Sequence, residues 1–367
     1  MRKVAIILPP RESFAPDSAG AIGLLVHRLA RHPAALPSVV LGPPIARPFA
    51  DAAFEPVTPS WFPGNLARRY AGGVAAALRR IGPAAIEVHN RPDVAIFLAG
   101  RFPGVPVRLL LHNDPQGMRG LKSAGERAGV LARIAAVTTV SQHICRRFLE
   151  GITGEVSVLP NCIDLADIPD VGAREHLILF AGRVVSDKGA DSFVTACGLA
   201  LPGLPDWRAE IIGADRFGPD SPETPWLAAL RPRAAAAGVA MLGYRRHGEV
   251  LAAMARAAIV VVPSRWDEPF GLTALEAMAC GAALVASARG GLPEVFGEAA
   301  LVIDPENPAD IAAAITALAT NPARRAALAE AGRVRARSFD VAIAAARLDA
   351  LRSDVLAAWP KRQGHPI

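Results

Sequence analysis

Residues 263–294 read Pro-Ser-Arg-Trp-Asp-Glu-Pro-Phe-Gly-Leu-Thr-Ala-Leu-Glu-Ala-Met-Ala-Cys-Gly-Ala-Ala-Leu-Val-Ala-Ser-Ala-Arg-Gly-Gly-Leu-Pro-Glu. Before them, Ala257 to Val262 is an apolar, β-branched run of the kind found in a buried parallel strand, closed by Pro263. Thr273 to Cys280 is rich in helix formers, and Gly281 ends the helix. Glu268 therefore falls in a loop and Glu276 about one turn inside a helix, with seven residues between them. A strand-loop-helix entrance leaves backbone N–H groups unpaired at the positive end of the helix dipole, and a glycine there lets an anion come close. Phe270, Gly271 and Leu272 occupy that entrance and make it a candidate diphosphate seat. A carboxylate in a first turn can equally be ordinary dipole compensation.

At 367 residues the chain exceeds one ordinary core and suits two domains of similar size. Its 51% hydrophobic and 20% charged residues are those of a folded globular chain. Cys145, Cys162, Cys197 and Cys280 lack Cys-x-x-Cys spacing, which argues against a disulfide framework and against a zinc site. The apolar run after Lys3 stops at Pro9-Pro10, too short for a signal peptide, and no run approaches the ~20 residues of a membrane span. A cytoplasmic location is expected. Residues 1–165 carry 19 Lys and Arg against 11 Asp and Glu, and residues 166–367 carry 21 against 23. The basic first half implies an anionic partner. Nucleic-acid motifs are absent, so the expected partner is a phosphorylated lipid or the anionic inner-membrane surface; the alternative is a set of solvated arginines.

Val4 to Leu8 reads as the first strand, with Arg11 to Ala21 as the loop at its carboxyl end. Gly20 and Gly23 lead into a helix over Ile22 to Ala30. Ser38 to Gly42 is a second strand, followed by a proline-rich connection to Pro59. After Trp61-Phe62-Pro63-Gly64, Asn65 to Arg80 is a helix with Leu66, Tyr70, Val74 and Leu78 on one side and Arg68, Arg69, Arg79 and Arg80 offering charge. It is either an interfacial membrane helix or an ordinary surface helix. Strands Ala85 to Val88 and Val107 to Leu111 end in His89-Asn90-Arg91-Pro92 and His112-Asn113-Asp114-Pro115. Polar clusters at strand ends are where open α/β sheets keep their chemistry. Asp114 either orients His112 or caps the next turn. Gly117 to Gly125 reads as a flexible acceptor loop with Arg119 and Lys122, Ser141 as the cap of a helix from Gln142, and Gly218 to Trp226 as an exposed loop.

Glu268-Pro-Phe-Gly-Leu-Thr-Ala-Leu-Glu276, then Ala-Met-Ala-Cys-Gly and Gly290-Gly291-Leu292-Pro293-Glu294, resembles the signature of retaining glycosyltransferases of family 4. Gly182-Arg183 with Lys188-Gly189, and Pro160-Asn161-Cys162-Ile163-Asp164, resemble further segments of that family, although Ala21, Cys162 and Ala214 stand where glycines are usual. The resemblance implies the α/β GT-B fold, two Rossmann-like doubly wound domains facing a central cleft. The expected division is residues 1–165 on the acceptor side, 166–340 on the nucleotide-sugar side, and a helix over 341–367 crossing back to the first domain.

By the same resemblance, Arg183 and Lys188 neutralise the donor diphosphate, Glu268 and His112 position the sugar, and Glu276 holds the ribose. Gly20 and the amides of Phe270 to Leu272 approach sugar or phosphate, while Tyr244 and Arg245 touch the base. His89 is a second choice to His112, on the acceptor side. A planar fork and a point charge suit a diphosphate, so no metal and no separate cofactor is expected. The implied reaction moves a sugar with retention from a nucleotide-diphospho-sugar to a glycan or glycolipid hydroxyl, in lipopolysaccharide, capsule or exopolysaccharide assembly. The alternatives are a GT-B nucleotide-sugar epimerase, a sugar phosphorylase of similar architecture, or a catalytically silent sugar-nucleotide-binding scaffold.

Overall fold

The computed structural model describes residues 3–61, 65–170, 172–215 and 223–362. The chain divides into two compact units, Met1–Cys162 with Val341–Ile367, and Ile163–Asp340. In the first unit β1 (Val4–Ile7), α1 (Ala21–Arg31), β2 (Ser38–Gly42), β3 (Phe54–Pro56), α2 (Leu66–Ile81), β4 (Ala85–His89), α3 (Pro92–Arg101), β5 (Val107–Leu111), α4 (Ala124–Arg133), β6 (Ala136–Thr139), α5 (Gln142–Leu149) and β7 (Ser157–Val158) follow one another. The seven strands are all parallel, in the order β3-β2-β1-β4-β5-β6-β7.

The second unit runs β8 (Glu175–Ala181), α6 (Ala190–Ala200), β9 (Arg208–Ile212), α7 (Pro225–Ala236), β10 (Val239–Met241), α8 (His247–Arg256), β11 (Ala257–Val262), α9 (Leu272–Ala279), β12 (Ala283–Ser287), α10 (Leu292–Phe296), β13 (Leu301–Ile303), α11 (Pro308–Ala319) and α12 (Pro322–Ala336). Its six parallel strands take the order β10-β9-β8-β11-β12-β13. Each sheet thus reverses direction once, between β1 and β4 and between β8 and β11. In doubly wound sheets the connections leave the strands on either side of such a reversal toward opposite faces, and ligands bind beyond the carboxyl ends there. That is why a doubly wound sheet has a site before any side chain is considered.

The last helix, α13 (Val341–Arg362), belongs to the first unit. Val341, Ala344, Ala345 and Leu348 pack with Leu25 and Leu29 of α1. Arg352 of α13 donates to both carboxylate oxygens of buried Glu87 on β4, at 3.1 and 2.6 Å, and Arg108 on β5 flanks the pair. Burial acts to raise the Glu87 carboxyl, but the two guanidiniums outweigh it and hold the group below the usual carboxylate range. Removing one partner of such a pair costs roughly 3–5 kcal/mol because the other charge stays buried.

Several sequence expectations change. The proline-rich connection contains β3, an edge strand where Pro56 needs no ladder partner on its outer side. The expected flexible loop over residues 117–125 is held in place: Ser123 and Glu126 form a capping box that starts α4 at Ala124, and buried Arg127 donates to the carbonyls of Leu121 and Lys122 at 3.1 Å. Pro225 and Trp226, expected in an exposed loop, open α7 behind a Thr224 cap; residues 218–222 of that stretch, and Phe62 to Gly64, lie outside the described residues. Among the described residues, no helix is long and apolar enough to cross a membrane.

Candidate active site

In the second unit the loops after β8 and β11 are stitched together. The amides of Arg265 and Trp266 donate to the Asp187 carbonyl at 2.9 and 3.0 Å. A side chain on Gly189 would collide with the Pro263 carbonyl, so the glycine after Lys188 is what lets the two loops touch. Lys188 Nζ reaches Glu268 Oε1 at 2.5 Å, and Ser264 Oγ donates to the same oxygen at 2.8 Å. Glu268 Oε2 has no protein partner among the described residues. Arg183 lies exposed at the end of β8.

Gly290 and Gly291 explain the second half of the motif. A Cβ on either would run into the backbone of Glu268 or Pro269, and the Gly291 amide donates to the Glu268 carbonyl at 2.6 Å. The loop holding Glu268 is thereby clamped from behind. Gly271, with φ of 111°, precedes α9, and no side chain caps this helix end. Leu272 is the first residue of α9, one earlier than the composition indicated. Phe270 is buried edge-on against Phe339 at 5.6 Å between ring centroids. Its side chain is an anchor, so only its backbone is available to a ligand.

Glu276 lies one turn into α9 and is bonded by Oε1 to His247 Nε2 at 2.8 Å. His247 is the first residue of α8 and directly follows the loop carrying Tyr244 and Arg245. Tyr244 is half-buried and Arg245 exposed, with the Arg245 guanidinium donating to the Tyr244 carbonyl at 2.9 Å. Lys188 with Glu268, and His247 with Glu276, thus form two bonded pairs on the segments that follow β8, β10 and β11.

In the first unit, His89 ends β4 and His112 directly follows the adjacent strand β5. The register pairs His89 with Leu110, so His112 falls on the same face, and His89 Nδ1 lies 2.8 Å from His112 Nε2. Both rings are buried. Burial pushes His89 down to about 4, and burial with the neighbouring ring holds His112 well below the usual imidazole range. Asn90, left-handed at φ 54°, accepts the His112 amide with its side-chain oxygen at 2.7 Å. Asp114 does not orient His112; it caps the following turn through the Gln116 amide at 2.9 Å and pairs with Arg147.

Gly20 differs from the expectation. Its amide and that of Gly23 donate to Glu12 Oε1, at 2.9 and 3.0 Å, so the N-terminus of α1 already holds a carboxylate. Burial raises the Glu12 carboxyl above its ordinary value, and the two amide bonds offset only part of that. Glu12, Asn90, His247 and Ser264 were not singled out as site residues from the sequence. Asn90 in its strand-end cluster, Ser264 in the anchor stretch and His247 beside the Tyr244-Arg245 loop each carried a positional hint.

Two family descriptions match the chain, "Glycosyltransferase Family 4" over residues 22–167 and "Glycosyl transferases group 1" over residues 167–335. The chain is 31% identical over 285 residues to a glycogen synthase of Mycobacterium tuberculosis, covering 68% of this chain and 66% of that protein. It is 37% identical over 165 residues to a D-inositol 3-phosphate glycosyltransferase of Thermomonospora curvata, covering 44% of this chain and 38% of that protein. The chain thus spans less than two thirds of the length of these curated relatives. The crystal structure of the Anabaena protein Alr3699/HepE in complex with UDP-glucose shares the fold, with a TM-score of 0.76, 18% identity, and coverage of 96% of this chain and 99% of that one.

Proposed function

The chain belongs to the glycosyltransferases of family 4 and group 1, and we propose that it transfers a sugar from a nucleotide-diphospho-sugar to a hydroxyl acceptor with retention of configuration. The observation that carries this reading is the crevice in which Lys188, Ser264 and Glu268 form one hydrogen-bonded group beside the uncapped end of α9. As the sugar–phosphate bond breaks, negative charge develops on the departing diphosphate. Lys188, Arg183 and the amides at the entrance of α9 are placed to stabilise it, the kind of preorganised electrostatics that dominates group transfer. Before the donor arrives Lys188 is neutralised by Glu268; once the diphosphate takes Lys188, Glu268 is released to accept sugar hydroxyls. Glu276 takes the ribose hydroxyls with His247 fixing its carboxylate, and Tyr244 and Arg245 flank the base. His112, kept neutral, meets the sugar as a hydrogen-bonding group and not as a cation. The acceptor hydroxyl attacks from the leaving-group face and passes its proton to the departing phosphate.

The Anabaena structure with UDP-glucose supports the donor class. The charge supplied by Lys188, Arg183 and α9 makes the reaction independent of metal. For the acceptor, the basic first half favours a glycan or glycolipid of lipopolysaccharide, capsule or exopolysaccharide assembly at the cytoplasmic face of the inner membrane. Trp61 is 83% exposed and Leu66 45% exposed beside Arg68 and Arg69 on α2, which suits a peripheral contact with anionic lipid. One observation favours a binding-only protein instead, the Glu12 carboxylate already seated on α1. The experiment is a thermal-shift and hydrolysis screen against UDP-, GDP- and ADP-sugars, with EDTA and then with magnesium. One nucleotide should stabilise the wild type and release sugar slowly in EDTA, and Glu276→Ala should lose both. Stabilisation without sugar release or transfer would favour the scaffold, and none at all would sink both readings.

A further inference from the structure

At the other end of the second sheet, the first residues of β8 and β11 and one face of α12 enclose a cavity of about 270 Å³. The length of β8, at ~3.3 Å per residue, separates it from Arg183 by on the order of 25 Å. Arg174, His176, Arg325 and Arg333 line it together with small residues such as Ala326 and Ala329, and no carboxylate does.

Two of the three guanidiniums, Arg174 and Arg325, are held in place by groups that do not neutralise them. Arg174 donates to the carbonyls of Ala257 at 2.7 Å, Ala255 at 3.2 Å and Cys280 at 2.5 Å. Arg325 donates to the carbonyls of Leu318 and Ala319 and lies over Trp207, 5.2 Å from the ring centroid, while His176 stacks on the same indole at 4.8 Å. Arg333 is paired with Glu330 through Nε and Nη2. Its Nη1 and Arg174 Nη2 converge on Gly281, where an added Cβ would lie 2.5 and 2.7 Å from them. Burial, and then the charge of Arg333, pull Arg174 below the ordinary arginine value. With one carboxylate on the rim against three cations, the cluster is self-repelling until an anion enters.

We infer that this cavity is a second anion site, which takes a small phosphate-bearing ligand, inorganic phosphate or the phosphate monoester of a single sugar. Guanidinium forks match phosphate oxygens in pairs, and the volume lies below the roughly 300–1,000 Å³ of drug-sized pockets. The site is separate from the donor crevice and does not depend on the reading given to it.

Isothermal titration with inorganic phosphate and with glucose 6-phosphate tests it on the wild type, Ala326→Glu, Arg333→Ala and Lys188→Ala. Ala326 is exposed, and glutamate is a good helix former, so that variant adds a charge to the lining without removing a contact. Binding should be present in the wild type and in Lys188→Ala and weakened about tenfold or more in both pocket variants, a change of about 1.4 kcal/mol or more. Tighter binding of the sugar phosphate would name the ester as ligand, and equal binding would name the phosphate alone. No binding at millimolar concentration, or loss in Lys188→Ala with retention in Ala326→Glu, would overturn the proposal. A melting transition of Ala326→Glu matching the wild type excludes misfolding as the cause.

Discussion

Two helix entrances, α9 in the second unit and α1 in the first, share one topological position and differ in their occupants. Both follow a strand at a sheet reversal, and both begin at a glycine. At α9 the nearby carboxylates have other partners, Glu268 bonded to Lys188 and Glu276 to His247, and no side chain caps the end. At α1 the Glu12 carboxylate sits on the amides of Gly20 and Gly23. Topology therefore supplies the place, and the surrounding side chains decide whether its amides are left open, as at α9, or hold an internal carboxylate, as at α1.

The largest effect expected is at α9. Lys188→Ala removes a cation from the developing diphosphate charge and leaves Glu268 without its ion pair. Loss of one preorganised charge-stabilising group costs about 10²–10³ in kcat. Steady-state transfer assays should show that loss in kcat with a smaller change in donor KM. A variant within about threefold of wild type would break the comparison, because α9 would then be an ordinary helix end.

Next comes a pH effect confined to the first unit. The folded value of His89 is pushed from 6.5 to about 4, so the folded state resists a proton that the unfolded chain takes up. The associated stability is fully present above pH 6.5 and is lost as pH falls toward 4, roughly 3 kcal/mol in all. Burial opposes protonation of the ring most, Glu87 favours it and the Arg352 guanidinium opposes it, with His112 2.8 Å away. Calorimetric melting should therefore weaken over that window, and His89→Asn should flatten the dependence. An unchanged slope in the variant would place the acid sensitivity elsewhere.

The fold and half of the candidate site were legible because they rest on local punctuation. Strand runs closed by Pro263 or Gly42, and helices ended by Gly281, state their own limits, and Glu268, Gly271 and Glu276 are fixed by that short frame. What escaped was long-range partnership. His247 is 29 residues from Glu276, and nothing local says that α8 opens beside α9. Two strand-end histidines were visible, but their contact follows from β4 and β5 being neighbours in register. Glu12 lies in the loop after β1. Its role depends on the chain doubling back by eight residues to meet Gly20. Arg127 was missed for the same reason, since its carbonyl partners on two sides are what turn an expected flexible loop into a fixed one.

The smallest effect separates charge from hydrogen bonding at α1. Glu12→Ala strips two amides of their acceptor and should cost about 1 kcal/mol, the usual worth of a lost helix cap. Glu12→Gln keeps an acceptor oxygen and removes the charge. Because burial raises the Glu12 carboxyl, the folded state favours the protonated acid, and ionisation at neutral pH costs stability. Glutamine resembles that neutral form, so Glu12→Gln should melt within about 0.5 kcal/mol of wild type at pH 7. Relative to Glu12→Gln, the wild type should gain stability as pH falls through the raised value toward 4.5, the direction set by its tighter proton binding when folded. If denaturant titration instead finds Glu12→Gln as unstable as Glu12→Ala at pH 7, the attraction between carboxylate and helix end outweighs burial. The α1 entrance would then demand a negative charge as the proposed mechanism asks of α9, and the two would differ only in where that charge comes from.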